Sequence, residues 1–309
     1  MAVIASSKEP THPGAAVVPA EGGVDRLSAL LERFRVRAHL FHAGPLCGVT
    51  HFAAQPGRAF LHVLRRGDMW VTHQPQSGVT HKLHLTEPTL LFYPRPLDHD
   101  FHNAPAEGSD FVCATLDFDG GVRHPLVQAL PSVLALPVSE VQGIGPTLDL
   151  LFAETERVRC GQRLLADRLF EVLLLQMLRW LLDRPAQGGV QPGVLTGLAH
   201  PKLARTLTAL HEQPGASWSL ESMAQVAGMS RSAFASEFKA ALGCSPGDYL
   251  LRWRVSLAQG QLRSGVAVKL VSDHLGYASP AAFSRAFTQV VGLSPRAWMK
   301  EAVGAAPAE

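Results

Sequence analysis

An internal repeat in the last third of the chain limits what this sequence can fold into more than any other feature. The segment GMSRSAFASEFKAALGCSP, Gly228–Pro246, recurs as GYASPAAFSRAFTQVVGLSP, Gly276–Pro295. Phe234 corresponds to Phe283, Phe238 to Phe287, Gly243 to Gly292 and Ser245-Pro246 to Ser294-Pro295, all 49 residues apart, whereas the opening glycines are 48 apart. The second copy therefore has one extra residue in its turn. Self-similarity at a fixed spacing marks one supersecondary unit used twice.

Each copy has the same local grammar. A short amphipathic helix comes first, LESMAQVA or VKLVSDHL, and Ser219 stands where it can cap the first of these. A turn opening on Gly228 or Gly276 follows, because glycine tolerates the left-handed conformation that ends a helix. Ser230 or Ser279 then caps the next helix, with Pro280 at the first helical position, where its missing N–H costs nothing. Gly243 and Gly292 stop that helix. Two short helices joined by a tight glycine turn form a helix-turn-helix.

On a helical wheel at about 100° per residue, Phe234, Phe238, Ala241 and Leu242 share the buried side of the first copy. Ser232, Ser236 and Lys239 lie opposite, with Ala235 on the flank. In the second copy Phe283, Phe287, Val290 and Val291 face inward, while Ala281, Arg285 and Thr288 face out and Ser284 flanks them. The outward sets are small, hydroxylated or cationic and hold no Asp or Glu. A helix entering a major groove needs such a face, since bulk blocks approach and carboxylates repel phosphate. Between the copies, DYLLRWRVSLAQGQLRSG, Asp248–Gly265, reads as one helix that sets their spacing.

Upstream the texture differs. Residues 36–118 alternate Val and Phe among turn residues, as short strands of an antiparallel barrel or sandwich do. From about Pro146 helical periodicity takes over, and QRLLADRLFEVLLLQMLRWLLD carries a broad apolar stripe through Leu164, Leu165, Leu169, Val172, Leu173, Gln176, Met177, Trp180 and Leu181. That stripe fits either packing within the chain or a homodimer seam. RPAQGGVQPG, Arg184–Gly193, ends the helix and reads as a hinge. The expected organisation is an α+β two-domain chain: a disordered lead-in over 1–24 that mixes Pro, Gly, Ser and charges, a β domain with following helices over 25–183, a linker over 184–195, and an all-α double helix-turn-helix over 196–303.

Charge follows this division. Residues 196–309 carry 11 Lys+Arg against 7 Asp+Glu, a balance of +4, and residues 1–195 carry 17 against 19, a balance of −2. The basic excess sits in the C-terminal third and hints at a polyanionic partner, which the helix-turn-helix pattern leads us to expect is double-stranded DNA. No apolar run reaches the roughly 18 residues of a membrane span, so no membrane role and a cytoplasmic location are expected. Cys47, Cys113, Cys160 and Cys244 form no CxxC pair, which argues against a structural zinc site or a disulfide framework.

These residues resemble the AraC/XylS family of transcriptional regulators over about residues 200–300, through both helix-turn-helix units, the RWRxxLAQxxL linker helix and GYASPAAFSRAFTQVVGLSP. The resemblance implies a sequence-specific regulator, more often an activator working with RNA polymerase. It places DNA-reading positions on Arg231, Ser232, Ala235, Ser236, Lys239, Ala281, Ser284, Arg285 and Thr288, of which only Arg231 is added to the wheel's own set. Arg285 is the position suited to bidentate contact with guanine. The N-terminal half is similar to the cupin-type sensing domain of one branch of the family: PRPLDHDFHN fits the second cupin motif through Pro94, His99 and Asn103. Proline stands in place of glycine at Pro88 and Pro96, and the first motif keeps only His62, without an HxH pair or a spaced Glu.

The β domain holds ten of the 14 histidines, His39 to His124. Metal cupins use three His and a carboxylate, and here only His62 and His99 stand at inward positions, so the expectation is no metal cofactor and satisfied or surface histidines. No paired-carboxylate or nucleophile–base arrangement points to an enzyme; the alternative is a cupin-type metal enzyme with a DNA-binding appendage. Cys113, in the doubly apolar strand FVCATLDF, reads as a buried hydrophobe or, perturbed and together with Cys47, as an oxidant sensor. The effector is expected to be a small molecule or an oxidant, sensed through His62, His99, Cys113 or Cys47.

Overall fold

The computed structural model of the protein describes residues 24–103 and 108–304. Residues 1–23 of the expected lead-in lie outside the described residues. The chain starts with α1 (Ser28–Arg33), then β1 (Val36–Leu46), β2 (Gly48–Phe52), β3 (Arg58–Arg66), β4 (Met69–His73), β5 (Lys82–Leu85), β6 (Thr89–Tyr93), β7 (His99–Asn103) and β8 (Ser109–Phe118). After α2 (Pro125–Ala129) and β9 (Leu134–Pro137), it is helical: α3 (Gly145–Thr155), α4 (Gln162–Asp183), α5 (Val194–Ala199) and α6 (Leu203–Glu212). The repeat forms α7 (Leu220–Ala227), α8 (Arg231–Leu242), α9 (Pro246–Arg263), α10 (Val268–His274), α11 (Pro280–Val291) and α12 (Pro295–Gly304).

The strands form two antiparallel sheets, β1-β8-β3-β6-β9 and β2-β7-β4-β5. No ladder joins them among the described residues, so the expected barrel is an open cupin-like sandwich. The inner faces meet over Phe52, Phe60, Tyr93, Phe101, Phe111 and Cys113. The larger sheet is also covered on its outer face, where Leu61, Val63, Leu90, Phe92, Val112 and Leu116 join the core shared with the helices. Burial on both faces is why β3, β6 and β8 read as nearly unbroken apolar runs, whereas β7, exposed on one side, alternates.

The edge of the larger sheet is closed by α4. The backbone N–H of Leu40 donates to Asp167 Oδ1 at 2.7 Å, and that of Ala38 donates to Glu171 Oε1 at 3.3 Å. Four residues of helix rise about 6 Å and two residues of strand about 6.6 Å, so carboxylates at i and i+4 match alternate edge donors. This stops β1 from templating another strand. It also orients α4, whose Leu169, Leu173, Met177, Trp180 and Leu181 are buried. Leu164, Leu165 and Val172 from the same stripe remain exposed.

The glycine-rich segment after α4, expected to hinge, is pinned at its C-terminal end to both halves of the chain. Gln191 N–H donates to Ala129 O at 3.1 Å and Gly193 N–H to Ala241 O at 3.0 Å. At a second junction, an Arg33 guanidinium N–H donates to Glu212 O at 3.0 Å, and the Phe34 ring lies 5.0 Å from that of Trp253 on α9.

In the repeat, Ser230 and Ser279 cap α8 and α11 by accepting from Ala233 N–H and Ala282 N–H. Phe234, Phe238, Phe283 and Phe287 are fully buried. Val290, expected on the inner face of α11, is 39% exposed, because it lies in the last turn beyond the reach of the packed phenylalanines. Gly276 does more than end α10. Its φ is +72°, and a Cβ there would collide with the carbonyl oxygen of Gly215, so two backbones touch where only glycine fits.

Gly276→Ala is expected to lower stability by about 2 kcal/mol or more, from strain plus collision. Gly247→Ala, inside α9 with open space around it, is expected to raise stability by about 0.5–1 kcal/mol. Urea denaturation of the two variants measures both, and a Gly276 variant as stable as the parent contradicts the close approach.

Candidate nucleic-acid interface and sensing residues

The reading face follows from the capped helices. On α8, Arg231, Ser232, Ser236 and Lys239 are exposed and Ala235 is half-buried; on α11, Ala281, Arg285 and Thr288 are exposed and Ser284 is half-buried. Thr288 Oγ1 donates to Ser284 O at 2.8 Å, so its hydroxyl is occupied by its own helix. The one carboxylate on α8, Glu237, pairs with His200 Nε2 at 3.2 Å, beside the reading face. Arg231, Lys239 and Arg285 take part in no described ion pair. Both faces therefore offer uncompensated positive charge on small, hydroxylated surfaces.

The spacing of the two faces is set by α9. Ser245 caps it by accepting from Asp248 N–H, Pro246 occupies its first turn, and it runs unbroken for 18 residues, roughly 27 Å. The Phe238 ring packs on Tyr249 at its start, 5.7 Å between centroids. The second unit's α10, α11 and α12 pack on the same helix.

The sandwich interior brings His62 and His99 together, Nε2 to Nε2 at 3.0 Å. His99 Nδ1 lies 2.9 Å from Leu97 O, and a carbonyl only accepts, so the proton of neutral His99 is assigned to Nδ1. His99 Nε2 then accepts from His62 Nε2–H, and His62 Nδ1 is left as a buried lone pair without a partner. Burial lowers the pKa of both, that of His99 to about 4. Next to them His73 Nδ1 donates to Thr80 O at 2.6 Å and His73 Nε2 accepts from the Tyr93 hydroxyl at 2.9 Å. His73, missed from the sequence, is buried because β4 turns its alternate residues inward, a pattern too short to register over five residues.

A cupin metal does not fit this donor set. The two imidazoles are hydrogen-bonded to each other and walled by the Phe52, Phe60, Phe101 and Tyr93 rings, with no third ligand grouped with them among the described residues. His102 points outward to Thr72 Oγ1, and His84 stacks on Trp70 and pairs with Asp68.

Cys113 is fully buried among apolar side chains, and burial pushes its thiol pKa well up, away from the reactive thiolate. Cys47 is exposed beyond Leu46, which pairs with Ser109, four strand residues from Cys113. That separation of roughly 13 Å exceeds disulfide reach, so the fold does not bring the two cysteines together.

Comparison with known proteins follows the same division. Residues 25–183 match the cupin family and residues 223–301 match a helix-turn-helix domain family. The cupin match spans more than half of the chain, and the chain belongs to that family, in the AraC-like arrangement of a cupin followed by helix-turn-helix units. A protein of Streptomyces lividans named as an AraC-like transcription regulator is 34% identical over 199 residues, 63% of this chain and 65% of its own length. One of Streptomyces antibioticus with the same name is 36% identical over 178 residues, 57% of this chain and 58% of its own length. The chain thus spans less than two thirds of these two relatives. The crystal structure of the DNA-binding domain of AdpA in complex with a target DNA is 28% identical, covering 34% of this chain and 96% of that one, with a TM-score of 0.33.

Five buried histidines give the fold a pH signature, His73 among them because burial lowers its pKa. Burial lowers the pKa of His124 to about 4 and of His211 to about 3, as it lowers those of His62 and His99. Unfolded, each titrates near 6.5, so as pH falls from about 6.5 toward 4 the unfolded chain takes up protons that the folded chain refuses. Stability is full above about 6.5 and falls by up to about 1.4 kcal/mol per histidine per pH unit below it. Urea midpoints at pH 7.5, 6 and 5 are expected to fall in that order; a constant midpoint contradicts neutral burial.

Proposed function

We propose that this chain is a sequence-specific DNA-binding transcriptional regulator, with a sensing domain over 25–183, a linker over 184–195 and a DNA-binding domain over 196–303. The observation that carries this is the pair of acid-free faces on α8 and α11, attached to one continuous helix. B-DNA repeats every 34 Å or so, and reading helices carried at the two ends of α9 address successive major-groove segments on one face of the duplex. The relatives named as transcription regulators support the same reading.

Within it, Arg285 reads guanine, Arg231 and Lys239 contribute phosphate contacts or base edges, and Ser232, Ala235, Ser236, Ala281, Ser284 and Thr288 leave room for close approach. The exposed Leu164, Leu165 and Val172 on α4 suit a second copy of the chain, making the regulator a homodimer in the cytoplasm. A small-molecule signal fits the fold better than an oxidant, because Cys113 is sealed and distant from Cys47. By family resemblance the output is activation through RNA polymerase.

Arg285→Ala is expected to cost about 1–3 kcal/mol on the preferred duplex and to relax preference at one base pair. Lys239→Ala is expected to weaken all duplexes alike and to reduce the salt slope by about 1. Fluorescence anisotropy on a panel of single-substitution duplexes separates the two, and unchanged affinity and preference for the Arg285 variant refute its role.

A further inference from the structure

A cleft of about 550 Å3 separates the end of α1 and the turn after β8 from the C-terminal half of α9. Arg33, Asp119 and Arg123 line one wall, and Gln261, Arg263 and Ser264 line the other. Its size is within the range of small-metabolite sites. Its lining is unlike that of the sandwich interior, which is filled by aromatic rings and leaves its two histidines bonded to each other.

The charges in the cleft are not balanced. Three guanidiniums meet two carboxylates, Glu32 and Asp119, and none of the five takes part in a described ion pair. Arg33 spends an N–H on Glu212 O, which leaves Arg123 and Arg263, one on each wall, as the cations with no described partner. Burial, and then the Arg123 charge, hold the Arg263 guanidinium below its usual range, while Asp119 offsets only part of this. Arg263 is fixed from behind by the Trp298 ring, 5.0 Å away.

Two like charges brought together across a domain junction are unfavourable until an anion sits between them, and guanidiniums bind phosphoryl and carboxylate oxygens in paired, charge-assisted bonds. We propose that this cleft is a binding site for a small dianion, a phosphorylated or polycarboxylate metabolite, held between Arg123 of the sensing domain and Arg263 of α9. The anion accepts from both guanidiniums. Bound there, it ties the sensing domain to the helix that spaces the two reading units, so occupancy changes how freely those units move relative to the cupin. That consequence rests on the regulator reading; the site itself does not.

Isothermal calorimetry on the full chain without DNA tests the site, with pyrophosphate and citrate as probes in separate titrations. The expected result is one saturable site for at least one probe, weakened about tenfold or more in both Arg123→Gln and Arg263→Gln. Arg285→Ala, which removes a cation from the reading face, is expected to bind the probe as the parent does. Circular dichroism and thermal midpoints confirm that the exposed Arg123 substitution leaves the fold intact. Preference for pyrophosphate or citrate assigns the phosphoryl or the carboxylate class. Absence of saturable binding, parental affinity in the Arg123 variant, or loss of binding in the Arg285 variant overturns the proposal.

Discussion

One unbroken helix has to hold two helix pairs at a single separation, and the proposed reading of DNA depends on it. α9 is fixed at its start by the Ser245 cap and by the Tyr249 ring against Phe238, and its flank carries α10, α11 and α12. A kink or fray in it would leave two competent reading helices with no defined spacing. The glycine close approach at Gly276 and Gly215 has the same consequence on a smaller scale, because it fixes where the second turn meets the loop before α7.

The cupin half is attached to the helical half at more than one point. Phe34 packs on Trp253, Arg33 bonds the end of α6, and the segment after α4 bonds both Ala129 and Ala241. For the sensing role proposed above, these contacts give short, packed routes from the cupin to the helix-turn-helix units. Regulation by such a chain is a shift between arrangements of two bodies already in contact, and a ligand acts only through the difference in its affinity for them. A polar cleft at the junction meets that requirement more directly than an interior closed by Phe52, Phe60, Phe101 and Tyr93.

The repeat was legible because caps, turn glycines and phenylalanines all obey short-range rules, and the structure places Ser230, Ser279, Phe238 and Phe287 as those rules require. Strands β3, β6 and β8 were legible as strands. Their burial on both faces hid which sheet they belonged to, and β2, β7 and β9 were too short to announce themselves. The inward pair His62 and His99 followed from period-two alternation. Arg33, Arg123 and Arg263 carry no local signal at all, since each sits in an ordinary polar context and they meet only through packing across the whole chain. Asp167 and Glu171 read as helix-surface charges until the edge of β1 shows what they bond.

The central claim is that α9 imposes one spacing on two reading helices, and the phase of the DNA is its most direct probe. Once a preferred duplex has been selected with the purified chain, its two contacted segments can be separated by about five extra base pairs, half a helical turn, or by about ten, a full turn. Affinity is expected to fall to the nonspecific level with the half-turn insert, because the second segment then faces away from the protein. Binding is expected to be no better with the full-turn insert, since a helix of 18 residues does not stretch by another 34 Å or so. Parental affinity for the half-turn duplex would contradict a fixed spacing, and with it the role assigned to α9.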